Sequence, residues 1–171
     1  MELATTMTAD TRQQFGALLE RHRGIVFKVA STYAWHQDDR ADLAQEIAAQ
    51  LWRAFPNYDA ARSFSTWMYR VALNVGISFV RSDRQRQRHA VPLDEDLHDV
   101  ASESTDHEAD QHLRTLHRFI AGLEPLNRAL LLLYLDDNSH REIADILGIS
   151  ETNVSTKISR LKQRIRTDIT N

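Results

Sequence analysis

Thr152, Asn153, Ser155, Thr156, Lys157 and Arg160 are grouped within a short C-terminal stretch, and their chemistry suits reading DNA. Hydroxyls and an amide exchange hydrogen bonds with base edges, while ammonium and guanidinium groups meet phosphates. In the segment SHREIADILGISETNVSTKISRLKQRIR these residues alternate with Val154, Ile158, Leu161 and Ile165, which recur at helical steps and would face inward. Ser139 and Glu142 make a capping box for a short preceding helix that buries Ile143, Ala144 and Leu147. Gly148 suits the positive φ of a tight turn, and Ser150 is a good N-cap for the next helix. A small residue at 144, glycine at 148 and a β-branched residue at 154 have helix-turn-helix spacing. A helical hairpin with a solvated polar face is the bland alternative; the complete spacing favours DNA binding. Lys162 and Arg164 add candidate phosphate contacts.

The rest of the chain also reads as helix. Phe15, Leu18, Leu19, His22, Val26, Val29, Ala30 and Tyr33 form one apolar face. His22 lies on that face and reads as packed. A second helix is expected from about Asp39 to Phe55, carrying Leu43, Ile47 and Leu51, and ended by Pro56. A third is expected from about Ser65 to Arg81, burying Met68, Val71, Ala72, Val75 and Phe79. Beyond the middle of the chain, Leu113, Leu116, Ile120 and Leu123 make another stripe, broken at Pro125. The run ALLLLYL from Ala129 to Leu135 reads as a fully buried core helix, since seven residues cannot span a bilayer.

The charge divides this 171-residue chain into three parts. Its net charge of −3 conceals a value of +3 over residues 1–90, −8 over 91–112 and +2 over 113–171. The acidic strap has Pro92 and few large apolar residues, so it is expected to stay extended or disordered when free. The expected architecture is therefore all-α: two small helical domains, 11–90 and 113–171, joined by an acidic flexible linker over 91–112.

Several function classes are disfavoured. There is no cysteine, hence no thiolate metal site or disulfide framework. His107, His112 and His117 are five apart, which does not align side chains on a helix, so neither a metal site nor a cofactor is expected. No phosphate loop, HExxH or nucleophile elbow occurs, so no catalytic residue is expected and the chain does not read as an enzyme. With no signal peptide or membrane-length apolar run, a cytoplasmic protein without membrane insertion is expected.

Specificity comes from two longer stretches. DDRADLAQEIAAQLWRAFPNYD followed by SFSTWMYRVALNVGISFVRSDRQR resembles the sigma-2 domain of extracytoplasmic-function (group IV) sigma factors of the sigma-70 family. LEPLNRALLLLYLDDNSHREIADILGISETNVSTKISRLKQRIR resembles their sigma-4 domain. The order is the family's, with a short linker and no sigma-3 domain. The resemblance implies an RNA polymerase sigma factor that docks on core polymerase (β′ clamp helices and β flap), recognises and melts promoter DNA, and answers to an anti-sigma factor. It assigns Asp42, Gln45, Glu46 and Ala49 to polymerase docking. Tyr58, Arg62, Phe64, Arg70, Asn74, Arg81 and Arg84 are assigned to the minus-ten element.

Tyr58 and Asn74 match pocket-lining positions there, consistent with an aromatic surface and an amide holding an unpaired base. Trp67 is expected to pack. The minus-thirty-five element falls to Thr152, Asn153, Ser155, Thr156, Lys157 and Arg160. Ser155 stands where many relatives carry Arg or Lys, Lys157 replaces a frequent Arg, and the usual acid near Ser78 is missing. The departures at Ser155 and Lys157 imply a different or weaker promoter match. The acidic strap is expected to be a tether, with mimicry of RNA in the polymerase exit path as the functional alternative. A stand-alone helix-turn-helix regulator and a Mg²⁺-dependent DNA-processing enzyme are the rivals.

Overall fold

The computed structural model describes residues 7–89 and 107–170. The greater part of the acidic strap, with the RNA-mimicry reading attached to it, lies outside the described residues. Among the described residues all regular structure is helical. In chain order the helices are α1 (Ala9–Tyr33), α2 (Gln37–Ala54), a 3-10 turn (Phe55–Asn57), α3 (Phe64–His89), α4 (His107–Gly122), α5 (Pro125–Leu135), α6 (His140–Leu147) and α7 (Glu151–Thr170).

Helices α1, α2 and α3 pack together as the first lobe. The Thr8 side chain caps α1 by accepting from the Thr11 amide at 3.2 Å. Val29, Leu43, Ile47, Leu51, Met68 and Ala72 are essentially sealed from solvent at its centre. Helix α3 outruns its expected end and continues to His89. Its buried side is also broader than expected: Tyr69, Leu73 and Val80 are buried, whereas Val71, Val75 and Phe79 are only partly so. The cause is that α3 packs on both sides, against α1 and α2 on one and against the second lobe on the other.

Helices α4 to α7 form the second lobe. The α4 stripe differs from expectation, because Leu113 and Leu116 are exposed and only Leu123, just past the helix, is sealed. Helix α4 also starts at His107, so the last residues of the acidic segment are helical. Pro125 begins α5 rather than merely ending what precedes it; at N1 its missing N–H costs no helical hydrogen bond. Leu130 and Leu133 are sealed, but Leu135 is 67% exposed, so α5 is not the fully buried helix its composition suggests. Buried Arg128 holds the α4–α5 corner together. Its guanidinium donates to the Leu123 carbonyl at 3.1 Å and the Ala121 carbonyl at 2.7 Å, occupying carbonyls that the end of α4 leaves open.

Candidate nucleic-acid and polymerase interfaces

The C-terminal motif is built as its residues require. Ser139 accepts from the Glu142 amide at 3.1 Å while the Glu142 carboxylate accepts from the Ser139 amide at 2.7 Å, closing the capping box. Gly148 turns the chain with φ 69°. The Ser150 hydroxyl then accepts from the Asn153 amide at 3.1 Å, starting α7. Val154, Ile158 and Leu161 are buried against the lobe, and Ile143, Ala144 and Ile146 are buried on α6; Leu147 is half-buried. That anchoring leaves Thr152, Asn153, Ser155, Thr156 and Arg160 exposed, with Lys157 half-buried beside them.

Lys162 and Arg164 are placed differently from the phosphate-facing positions expected of them. The Lys162 ammonium sits 4.7 Å over the Tyr134 ring, and the Arg164 guanidinium 5.7 Å over Phe119 and 3.9 Å from Asp168. Both lean toward the rest of their own lobe.

On α2, sealed Leu43 and Ile47 turn Asp42, Gln45 and Glu46 outward, with Ala49 half-buried at the edge. Gln50 donates to the Glu46 carboxylate at 3.1 Å and Arg53 lies 4.0 Å from it. The result is an acidic, amide-bearing helix face.

The minus-ten candidates are far more engaged. Tyr58 is half-buried and stacks on Phe55 (centroids 5.8 Å apart), with Phe64 and Trp67 at 5.4 and 5.1 Å. Its hydroxyl donates to the Arg62 carbonyl at 2.7 Å, and the Asp59 carboxylate accepts from the Ala61 amide at 2.9 Å, tightening the loop. Phe64 is buried and holds the cluster together; it cannot offer its ring to a base without that cluster opening. Trp67 packs in the same cluster, and His22 lies against Phe64 at 5.2 Å. Arg62, Asn74 and Arg81 are exposed. Arg70 donates to the Asp145 carbonyl of α6, and Arg84 lies 3.6 Å from Glu124. Two candidate phosphate contacts thus reach into the other lobe.

Residues without any assigned role in the sequence complete that contact. Tyr69 and Lys28 both donate to the Asp136 carboxylate, Lys28 at 2.5 Å. Burial alone would raise the Asp136 carboxyl, but the bonds from Lys28 and Tyr69 outweigh it and hold the group below its ordinary range. Burial pushes the Tyr69 and Tyr33 phenols up, so both are donors. Tyr33 donates to the Pro125 carbonyl at 2.8 Å from a buried position. Its ring lies where a side chain at position 76 would be, since a Cβ on Gly76 would fall 2.5 Å from it. Trp35 meets His117 edge-on at 4.1 Å. Burial, then the Arg40 charge, lowers the His117 pKa. Only the place of Tyr33 on an apolar stripe hinted at any of this.

Fold and surfaces together define a two-lobed helical DNA-binding factor with a helix-turn-helix at its C-terminus. Residues 18–86 match the Sigma-70 region 2 family and residues 113–165 the Sigma-70, region 4 family. The ECF RNA polymerase sigma factor RpoE of Cereibacter sphaeroides is 31% identical over 131 residues, covering 73% of this chain and 69% of that protein. The ECF RNA polymerase sigma factor SigE of Mycolicibacterium smegmatis is 28% identical over 154 residues, covering 87% of this chain; the chain spans 59% of that relative's length. A solved structure of the sigma factor RpoE with the anti-sigma factor NepR from Bartonella quintana superposes with a TM-score of 0.59 at 17% identity. It covers 94% of this chain and 96% of that one, which shows the shared fold. The chain belongs to the extracytoplasmic-function RNA polymerase sigma factors of the sigma-70 family. Such proteins are transcription initiation factors, not enzymes.

Proposed function

We propose that this sigma factor works in the cytoplasm with its tasks divided between the lobes. Residues 11–90 dock on core polymerase and handle the minus-ten element, residues 91–112 tether, and residues 113–171 read the minus-thirty-five element. Asp42, Gln45, Glu46 and Ala49 form the face offered to the β′ clamp helices. Tyr58 and Asn74 receive an unpaired base, with Arg62, Arg70, Arg81 and Arg84 on phosphates. Phe64 supports the Tyr58 ring from below. The exposed N-terminal part of α7 enters the major groove, and the second lobe meets the β flap. The observation that carries this reading is the exposure of Thr152, Asn153, Ser155, Thr156 and Arg160 on a capped, rigidly anchored second helix. An anti-sigma factor is the partner expected to control it, by analogy with the structural relative bound to NepR.

Run-off transcription with purified core polymerase and a genomic promoter library tests the reading. Promoter-specific transcripts that need both Glu46 and Asn153 are expected. Tight duplex binding without core association would instead mark a free-standing regulator.

A further inference from the structure

Phe27 is 60% exposed, more than any other phenylalanine or tryptophan among the described residues. It lies on the side of α1 turned away from Val26, Val29 and Ala30, which are buried in the first lobe. With 3.6 residues per turn, Gly16, Glu20, Arg23 and Phe27 fall on one narrow strip of the helix surface. All four are exposed. Nothing lies within 4 Å of where a Cβ on Gly16 would stand, so the fold of one chain does not require glycine there. Inside a helix glycine is also less favourable than alanine. Glu20 and Arg23 pair at 3.2 Å within the chain, and both side chains remain well exposed. A carboxylate and a guanidinium each keep capacity for a second partner in such a pair.

We propose that this strip is a weak homodimer interface, in which α1 packs antiparallel on α1 of a second copy. The spacings along it are four, three and four residues, symmetric about a point between Arg21 and His22. Turned end for end against itself, the strip sets Phe27 on the second copy's Gly16 and Arg23 on its Glu20, and the reverse pairs repeat both contacts. The interface is therefore isologous, the same patch on both chains. The missing Cβ at Gly16 lets the facing phenylalanine ring lie against the helix backbone. Two such ring contacts, about 17 Å apart along the helix, bracket a cluster of four alternating charges. Parallel packing would set Glu20 on Glu20 and Arg23 on Arg23, so charge selects the antiparallel register. Exposed ion pairs add little affinity, which leaves the two rings to carry it. A strip of about three helical turns falls short of the roughly 800 Å² per partner of a stable complex, so the dimer forms only at high concentration.

Sedimentation of the full chain over a wide concentration range tests the proposal. The average mass should rise from that of one chain toward that of two, with a Kd on the order of 100 µM. Phe27→Ala removes both rings and should weaken the dimer roughly tenfold or more. Gly16→Gln blocks both ring sites and should weaken it comparably. In the single chain, however, glutamine meets open space and is the better helix former, so Gly16→Gln should unfold at a slightly higher temperature than the parent. Those opposite signs separate a lost interface from a damaged fold. Glu20→Arg and Arg23→Glu should each dimerise several-fold more weakly alone. An equimolar mixture of the two should regain the dimer, because each chain then faces the opposite charge.

A parent that keeps the mass of one chain up to millimolar concentration would overturn the interface. So would a dimer that survives Phe27→Ala and Gly16→Gln undiminished, since another surface would then be holding it. Charge variants that dimerise like the parent when alone, or no better when mixed, would overturn the antiparallel pairing. None of these outcomes depends on the reading of promoter or polymerase contacts above.

Discussion

The two reading surfaces are prepared to different degrees. On α7 the reader is finished: a capping box, a left-handed glycine and a serine N-cap set the helix, and its polar N-terminal residues face solvent. On α3 and the loop before it the reader is occupied. Tyr58 is boxed by Phe55, Phe64 and Trp67, its hydroxyl is held by the Arg62 carbonyl, and Arg70 and Arg84 contact the other lobe. The contrast follows from the chemistry of the two targets. A duplex major groove exists before the protein arrives, so a rigid helix loses least entropy on docking. An unpaired base exists only once the strands part, so its acceptor site can remain packed until then.

If rigidity defines the second lobe, its largest vulnerability is Arg128. Arg128→Ala strips the Leu123 and Ala121 carbonyls of their donor and empties a buried volume at the α4–α5 corner. A loss of about 3 kcal/mol is expected, read by chemical denaturation, with weaker minus-thirty-five duplex binding as a consequence. Gly76→Val probes the other side of the comparison. Its side chain would collide with the Tyr33 ring, at a cost of about 2 kcal/mol, and should loosen the packing between the lobes while leaving the isolated α7 surface intact. Unchanged stability to chemical denaturation in that variant would mean Tyr33 has another place to go. Gly148→Ala should cost about 1 kcal/mol, because the left-handed turn penalises a Cβ even though open space surrounds it. Its effect should fall on duplex binding by α7 and spare polymerase docking by α2.

The same division governs how much could be read from the residues alone. The helix-turn-helix was legible because each of its parts is a local rule: a serine three residues before a glutamate, a glycine at the turn, apolar residues at helical steps. The α2 face was legible for the same reason, since burying Leu43 and Ile47 fixes where Asp42 and Glu46 point. The contact between the lobes was not. It is made by Lys28, Tyr69 and Asp136, residues 108 and 67 positions apart, and a lysine or aspartate forming a distant pair resembles one that is merely solvated. For that reason the second buried side of α3, with Tyr69 and Leu73, was missed. Exposed Leu113 and Leu116 erred in the opposite direction: a good stripe on α4 implied a core that the lobe does not supply there.

Ser155 sharpens the comparison on the finished side. It is exposed near the start of α7, where an arginine could reach phosphate or guanine without rearrangement. Ser155→Arg should tighten duplex binding several-fold at moderate salt and steepen the salt dependence by about one counterion. Because the gain needs no change in the contact between the lobes, it should be the same in the parent and in Asp136→Ala, which lacks the acceptor for Lys28 and Tyr69. A gain confined to Asp136→Ala would show that the packing of the lobes shields α7 after all.

The smallest effect concerns pH, and it separates two parts of the contact between the lobes. His117 titrates below its ordinary 6.5 when packed on Trp35, because burial and then Arg40 disfavour its proton. A chain that has lost this contact therefore binds more protons than one that keeps it in this range, and the contact strengthens as pH rises. The packing is fully retained above about 6.5 and weakens as pH falls through and below that value. Asp136 behaves otherwise: its carboxylate is held below the ordinary 3.8, so its contribution persists above that value and fades only in stronger acid. Between pH 7 and 5 chemical denaturation should thus show a modest loss of stability that His117→Phe removes, since phenylalanine keeps the ring contact but carries no proton. If the loss begins only below pH 4 in both proteins, Asp136 alone sets the response, and the Trp35–His117 contact is packing without titration.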